Sequence, residues 1–591
     1  MTMTDTARDA RFPYQDVSLG LEQRVDDLLS RMDTADKAGA MFHMMVGVSD
    51  PSAGNSAFGI PSLLAMVRNR RMNHFNLLGA APSGREFAAW HNAAQKIALE
   101  TGLGIPITFS TDPRHSFTDN PGAAMLAGPF SQWPETLGLA ALRSPERVRR
   151  FADVARREYT AVGLRVTLHP QIDLATEPRW SRINGTFGED AELTSELVVA
   201  YIEGFQGERI GATSVSTMVK HFPGGGPQKD GEDPHFAHGR EQIYPGDNFE
   251  YHLKPFRAAI AAGARQMMPY YGMPVDTEYE EVGFGFNKAV LTTLLRDELG
   301  FEGIVCTDWG LLTDVSIMGT PMPARAWGVE SLSRDERMLK ALNAGVDQFG
   351  GELCTDVLLD LVAERRVTED RLDVSVRRLL REKFALGLFD DPYVDEDRAE
   401  AVVGSDEFVA EGLDAQSDSL TLLTNRDALL PLSRGIRVYV EGIDATALAP
   451  YATVVTTPDD ADAAILRVKA PYEDRSDRGG FEGFFHAGSL EFPPAELERI
   501  TAVARALPTV VDIYLDRPAV LGGLEDEAGA IVADFGVSDA ALLPVLFGDR
   551  GPQGSLPFDL PRSMDAVVAS RTDVPFDTAD PTFRFGHGLR Y

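Results

Sequence analysis

Cysteine is scarce in this 591-residue chain, which has only Cys306 and Cys354. Cys306 lies within an apolar run and Cys354 in a separate element, so no disulfide framework is expected. Neither has neighbours at metal-ligand spacing, and no metal or other cofactor is expected. No apolar run is long enough to cross a bilayer. Residues 1–11 are polar, with no apolar core, so no secretory leader is expected and the expected location is cytoplasmic. Positive charge is also short: 56 Lys and Arg against 89 Asp and Glu give a formal net charge of −33. Such a surface repels phosphate backbones and anionic membranes, which argues against nucleic acid and membrane as partners and suits neutral small molecules. A homodimer is compatible with all of this. Internal repeats and low-complexity tracts are absent.

What is present is ordinary globular composition, 44% hydrophobic and 25% charged, in a chain too long for one core. From about residue 104 to about 350, short apolar runs alternate with amphipathic helices. Strands are expected at 104–110, 164–174, 215–221, 265–271, 303–308 and 344–349. Between them, Ser144-Pro145-Glu146 starts a helix that Gly163 stops, and helices are expected at 191–205, 251–262 and from Asn287 to Leu299. Repeated β-then-α units mean a parallel sheet with crossover helices, and their number suits a (β/α) TIM-like barrel better than an open sheet. The expected domains are a barrel at 1–390, an acidic, weakly patterned linker at 391–412, and a smaller αβ unit at 413–591, with strands at 437–440, 464–468, 510–515 and 530–535.

Catalytic groups in such barrels gather where the strands end. The polar strand ends are Asp112, Asp173, Lys220-His221, Tyr270, Asp308-Trp309 and Asp347. Asp308 emerges from an apolar run with an indole beside it; a carboxylate there can attack an electrophilic carbon, and the flat ring can support a sugar face. Asp173 and Asp347 also fit a loop cap or a salt bridge, and Tyr270 fits simple packing. Arg179 could donate a bidentate pair to hydroxyls or a carboxylate, or lie on the surface. The glycines after Lys220-His221 are not a P-loop, since the Gly-x4-Gly-Lys-Ser/Thr order is missing. Asp233, His235 and His238 follow, without the His-x3-His spacing of a helical metal site.

Taken together, these residues resemble glycoside hydrolase family 3, the exo-acting β-glucosidases and their relatives. Pro178-Arg179-Trp180-Ser181-Arg182 through Thr186-Phe187-Gly188-Glu189-Asp190 is similar to the family's "DPRWGR…ETYGED", and Thr307-Asp308-Trp309 to its "SDW". Lys220-His221-Phe222 resembles its sugar-binding Lys-His pair, and residues 104–112 the strand whose aspartate, here Asp112, grips the terminal sugar. Residues 383–389 and 429–432 match the end of the first domain and the start of the second. The resemblance implies a barrel joined to an αβ sandwich with the site at their junction. It also implies retaining hydrolysis of terminal β-D-glucosyl residues in small-molecule or oligosaccharide β-glycosides, through a covalent glycosyl-enzyme on Asp308. Asp112, Arg179, Lys220, His221, Tyr270 and Trp309 would bind substrate, with Lys220, His221 and Arg179 favouring the charged form of Asp308.

A second acid must lie about 5–5.5 Å from the nucleophile. The family often supplies it from a "PYxE"-like loop, here Ala470-Pro471-Tyr472-Glu473-Asp474, so Glu473 is the expected acid/base, with Asp474 and Glu482 as alternatives. One branch instead uses a His–Asp pair after "KHFPG", which here would be His235 and Asp233. That pair would suit a β-N-acetylglucosaminidase or a glycoside phosphorylase; β-xylosidase is a further alternative. The branch's "GHG" is Gly224-Gly225-Gly226 here, and the branch usually lacks a full second domain. Asp112-Pro113-Arg114-His115-Ser116 stands where many members read "DAVHG". With Tyr591 soon after Phe585-Gly586-His587-Gly588, no fibronectin-like third domain is expected.

Overall fold

The structure, a computed structural model, describes residues 12–118, 124–317, 320–478 and 481–591. The polar stretch 1–11 on which the leader expectation rests lies outside the described residues.

Eight parallel strands form the first sheet: β1 (Phe42–Gly47), β2 (His74–Leu78), β3 (Thr108–Thr111), β4 (Leu164–Thr167), β5 (Ser216–Phe222), β6 (Gln266–Pro269), β7 (Ile304–Val305) and β8 (Phe349–Gly350). They pair in chain order, and β8 returns to β1 through Phe349 and Phe42. A parallel bridge between Cys306 and Gln348 joins the last two strands and closes the ring. Helices cover the outside, so the strands are buried on both faces and read as continuous runs rather than alternations; β5 is buried at all seven positions. The crossover helix Pro145–Ala161 begins as its sequence predicts, with Ser144 Oγ accepting from the Arg147 amide. Gly163, at φ +85°, follows it where the His91 ring leaves no room for a Cβ. The segment after Asn287 is wound as a π-helix, Ala289–Glu298, with Asn287 Oδ1 accepting from the Val290 amide.

Two strands, β1 and β2, precede the region where the alternation is legible. They carry His43, His74 and Asn76 inside the barrel, and these polar residues break the apolar pattern. His43 holds Gln348 at 3.1 Å and Ser110 at 2.7 Å across the interior. The expected strand 344–349 is also displaced: Ala344 ends the helix Arg334–Ala344, and the strand starts at Phe349. Asp347 therefore lies ahead of β8, away from the rim. It ties Arg296 and Arg378, each at 2.8 Å, to the Val305 amide.

The stretch expected to be a linker carries the helix Glu396–Val402 and the start of Asp406–Ser419. The second unit is a six-stranded sheet of β9 (Thr421–Asn425), β10 (Arg437–Glu441), β11 (Thr453–Val455), β12 (Ala463–Lys469), β13 (Thr509–Tyr514) and β14 (Ala530–Asp534). Its order is β9-β14-β13-β12-β10-β11, parallel except for β9.

The two units are joined by buried polar contacts. Glu189 accepts from the Asp559 and Phe576 amides, each at 2.7 Å, and Tyr514 donates to Glu135 at 2.7 Å. Gly188 lies so close to Pro557 O that a Cβ there would sit 2.1 Å from it. Replacing Glu189 by Ala leaves two buried donors without an acceptor, at a cost on the order of 2–4 kcal/mol. Scanning calorimetry of Glu189→Ala should show an earlier transition for the second unit; an unchanged profile would mean that Glu189 does not hold the joint.

Candidate active site

The carboxyl ends of the barrel strands open into a cavity of about 170 Å³. Asp308, just beyond β7, stands in its wall and is only 7% exposed. Oδ1 accepts from the Trp309 amide at 2.8 Å, and Oδ2 has no hydrogen-bond partner among the described residues. A buried carboxylate oxygen without a donor is costly unless positive charge stands close by. His221 Nε2 lies 3.7 Å from it, and Arg182 reaches the same imidazole nitrogen at 3.3 Å.

His221 is held from behind by Asp173. Its Nδ1 lies 2.7 Å from Asp173 Oδ2, while Asp173 Oδ1 accepts from the amides of His221 and Gly225. With Nδ1–H donated to Asp173, Nε2 is left to accept from Arg182. Burial pushes the Asp173 carboxyl up to about 6 against those amide bonds, and burial holds His221 well below the ordinary imidazole value. Beside this group, Lys220 Nζ meets Asp112 Oδ1 at 3.0 Å, and Asn76 donates to Asp112 Oδ2 at 3.1 Å. The remaining wall is apolar or aromatic. The Trp309 ring lies over Gly350 and Gly351, where any Cβ would strike it, and Tyr271 donates to Trp309 O at 2.8 Å.

Four of the expected binding residues, Asp112, Lys220, His221 and Trp309, thus share one cavity with Asp308. Two do not. Arg179 is clamped to the buried Glu177 through Nε at 2.8 Å and Nη2 at 2.9 Å, outside the cavity. The arginine that lines it is Arg182, three residues on in the same motif. Tyr270 is fully buried behind His221, with the rings 4.8 Å apart, and its neighbour Tyr271 faces the cavity instead. Successive residues of an extended segment point to opposite sides, so choosing between adjacent tyrosines required a register that the sequence alone does not supply.

The expected acid, Glu473, is not in the cavity wall either. Its side chain is about half exposed and paired with Arg475, which also binds Glu232 of the barrel at 2.6 Å and 3.0 Å. Partial burial would raise the Glu473 carboxyl, but Arg475 and the Ser489 amide outweigh it and hold the group below the usual range. That is the wrong direction for a group that must begin protonated. Neither Asp474 nor Glu482 lines the cavity; Asp474 bonds the Ser476 amide, and Glu482 faces His238 and Arg478.

The second unit instead sends Phe481 and Phe485 to the cavity, and between them and Tyr271 sits His235. His235 Nδ1 lies 2.6 Å from Asp233 Oδ1, leaving Nε2 without a hydrogen-bond partner among the described residues. Burial would raise Asp233, but His235 and Arg182 overcome it and bring the carboxyl down to about 2; Trp180 Nε1 holds its other oxygen at 3.2 Å. The arrangement therefore offers a carboxylate and an imidazole on one small cavity. Among the described residues, no three His, Cys, Asp or Glu side chains gather as a metal cage.

Residues 82–382 match "Glycosyl hydrolase family 3 N terminal domain" and residues 440–591 match "Glycosyl hydrolase family 3 C-terminal domain". "Probable beta-glucosidase C" of Aspergillus flavus is 55% identical over 99% of this chain and 93% of its own length. "Periplasmic beta-glucosidase/beta-xylosidase" of Dickeya chrysanthemi is 42% identical over 100% of this chain and 93% of its own. In fold, the chain is similar to a crystal structure of beta-glucosidase from Listeria innocua in complex with isofagomine, with a TM-score of 0.76 at 23% identity over 96% of this chain and 83% of that one. A mutant exo-1,3/1,4-beta-glucanase from a Pseudoalteromonas species gives a TM-score of 0.78 at 20% identity, over 98% and 96%.

The support that Asp173 gives His221 is open to test. Asp173→Asn can no longer accept in the same way at both oxygens and frees the imidazole tautomer. A fall in kcat/KM of about 10–100-fold is expected, the size typical of losing such a supporting partner, with the circular dichroism spectrum unchanged. Wild-type kinetics would remove Asp173 from the site.

Proposed function

The chain belongs to glycosyl hydrolase family 3 and is a glycoside hydrolase, and from that premise we propose that it is an exo-acting β-glucosidase working with retention, with Asp308 as nucleophile and His235, paired with Asp233, as acid/base. The observation that carries the reading is the free Oδ2 of Asp308 in the same cavity as an imidazole backed by an ionised carboxylate. The glucosidase activity is drawn from the relatives' names.

In the first step Asp308 Oδ2 attacks the anomeric carbon as the bond to the leaving oxygen breaks, and His235 gives its Nε2 proton to that oxygen. In the second, His235 takes a proton from water as the water oxygen attacks the same carbon and the carboxylate of Asp308 departs. Two inversions give net retention. Asp112 and Lys220 would grip sugar hydroxyls, and Trp309 would support a ring face. The small cavity admits the end of a chain rather than its middle. Because the Dickeya relative is named for β-xylosidase as well, aryl β-xylosides belong in the same substrate screen as aryl β-glucosides.

Asp308→Ala should abolish turnover of an aryl β-glucoside; near-normal turnover would reject the nucleophile. His235→Gln should lower kcat/KM by about 10²–10⁴-fold on poor leaving groups and far less on dinitrophenyl glucosides, which leave without a proton. Glu473→Gln should stay within a few-fold of wild type; the reverse ranking would return the acid role to Glu473. The rate should be indifferent to added phosphate, whereas release of sugar phosphate would make the enzyme a phosphorylase.

The same assignment fixes a pH dependence. Burial and two nearby arginines lower His235 despite Asp233. The first step needs the protonated imidazole, so activity is lost as pH rises through a value below the ordinary ~6.5. An alkaline limb well above that value in kcat/KM would contradict the histidine.

A further inference from the structure

The barrel interior is more polar than packing requires. Such interiors are filled mostly by branched apolar side chains, yet β1, β2 and β3 place His43, Asn76 and Ser110 there, each no more than 2% exposed. Asn76 and Ser110 are register partners on neighbouring parallel strands, so their side chains leave the sheet on one face. His43 is the register partner of His74, two residues before Asn76, and so lies one step deeper on that face. Asp112 stands two residues beyond Ser110, at the rim, with its side chain 21% exposed toward the cavity.

These four side chains are joined in line. His43 Nε2 lies 2.7 Å from Ser110 Oγ, Ser110 Oγ lies 3.2 Å from Asn76 Oδ1, and Asn76 Nδ2 donates to Asp112 Oδ2 at 3.1 Å. The rim imposes the direction. Asp112 accepts from Lys220 through Oδ1, and as a carboxylate it can only accept, so Asn76 must face it with nitrogen. The Asn76 carbonyl then needs a donor, which the Ser110 hydroxyl supplies. Phe75 O, 3.5 Å from the same hydroxyl, is the weaker taker. With its one hydrogen given to Asn76, Ser110 accepts from His43 Nε2–H. Burial keeps His43 neutral, pushing it down to about 4, so its single ring hydrogen is committed to Nε2. Nδ1 can then only accept. That asks Gln348, 3.1 Å away, to present its amide nitrogen there in place of its 3.3 Å bond to Ala40 O.

An asparagine can offer either end of its amide to a neighbour; nitrogen holds a carboxylate and oxygen repels it. Here a hydroxyl and an imidazole deeper in the barrel make that choice. The His43 ring also packs against the Trp309 indole, with centroids 5.5 Å apart, so one residue braces two members of the cavity wall. We propose that His43 and Ser110 are positioning residues for sugar binding: through the Asn76 amide they hold the Asp112 carboxylate set for a hydroxyl of the terminal sugar. The role of Asp112 as that grip is the reading on which this depends.

The test measures the inhibition constant for glucose and kcat/KM on an aryl β-glucoside, both on the full chain. Ser110→Ala leaves Asn76 Oδ1 without its donor. It should weaken glucose and lower kcat/KM by about tenfold each, the worth of one hydrogen bond to a charged group, with the circular dichroism spectrum unchanged. His43→Leu should do the same. His43→Gln, whose amide nitrogen can stand where Nε2 stood, should recover most of the loss. On an Asn76→Ala background, Ser110→Ala should cost nothing further, because both act through one chain. Additive losses, equal losses in His43→Leu and His43→Gln, or wild-type glucose binding in Ser110→Ala would each overturn the proposal. Should Ser110→Ala not fold, the contrast between the two His43 variants decides by the same criterion. Asp112→Ala, measured in parallel, separates the two readings. If it binds glucose as wild type does, the grip itself is wrong and the positioning role falls with it. If it binds glucose weakly while Ser110→Ala does not, only the positioning role is rejected.

Discussion

A buried carboxylate oxygen with nothing donating to it is the atom around which this molecule is organised. Asp308 Oδ2 is shut away from water and receives no hydrogen bond from the described residues. The positive charge near it is the Arg182 guanidinium, which reaches the neutral His221 imidazole beside it, and Asp173, itself fixed by two backbone amides, orients that imidazole. These groups come from the ends of three strands, Asp173 and Arg182 after β4, His221 on β5 and Asp308 after β7, so the barrel must bring those strands together before any of them is in range. In the reading proposed above, the unmet valence is also what makes the oxygen reactive, and its missing partner is the carbon of a bound sugar.

The second constraint is that the barrel rim alone is an open dish. Water is kept from one side by aromatic side chains of the other unit, which arrive on a segment held by Arg475 against Glu232. The residues of the "TFGED" motif, which lie near the substrate-binding motif in sequence, belong to this joint rather than to the chemistry. Glu189 satisfies two amides of the other unit, and Gly188 exists because a neighbouring carbonyl occupies the space of a side chain. The histidine–aspartate pair sits where the two units meet, and its protonation is governed by burial that both of them supply.

Much of this was legible from the chain. Caps, periodicity and strand-end polarity located five of the barrel's strands, the helices between them and the position of Asp308 at a strand end, because those signals are local; the strand expected at 344–349 was met only at Phe349. The two strands that escaped carry buried histidines and an asparagine whose partners lie far away in the chain, so their polarity looked like surface. The same limit explains the site residues that moved. Arg179 and Arg182, and Tyr270 and Tyr271, are neighbours in sequence and opposites in space, and only the packed register separates them. Glu473 was chosen by resemblance of its loop. Its place outside the cavity wall, paired with an arginine answering to both units, is a long-range fact that no local pattern carries.

The roof over the sugar is borrowed from a separately wound sheet, and this couples the lifetime of activity to the weaker of two cohesions. Heat need not melt either core to silence the enzyme. It is enough that the seam between them loosens, lifting two phenyl rings and flooding a dry chamber. Loss of activity on heating is therefore expected to follow the parting of the two units rather than the melting of either sheet.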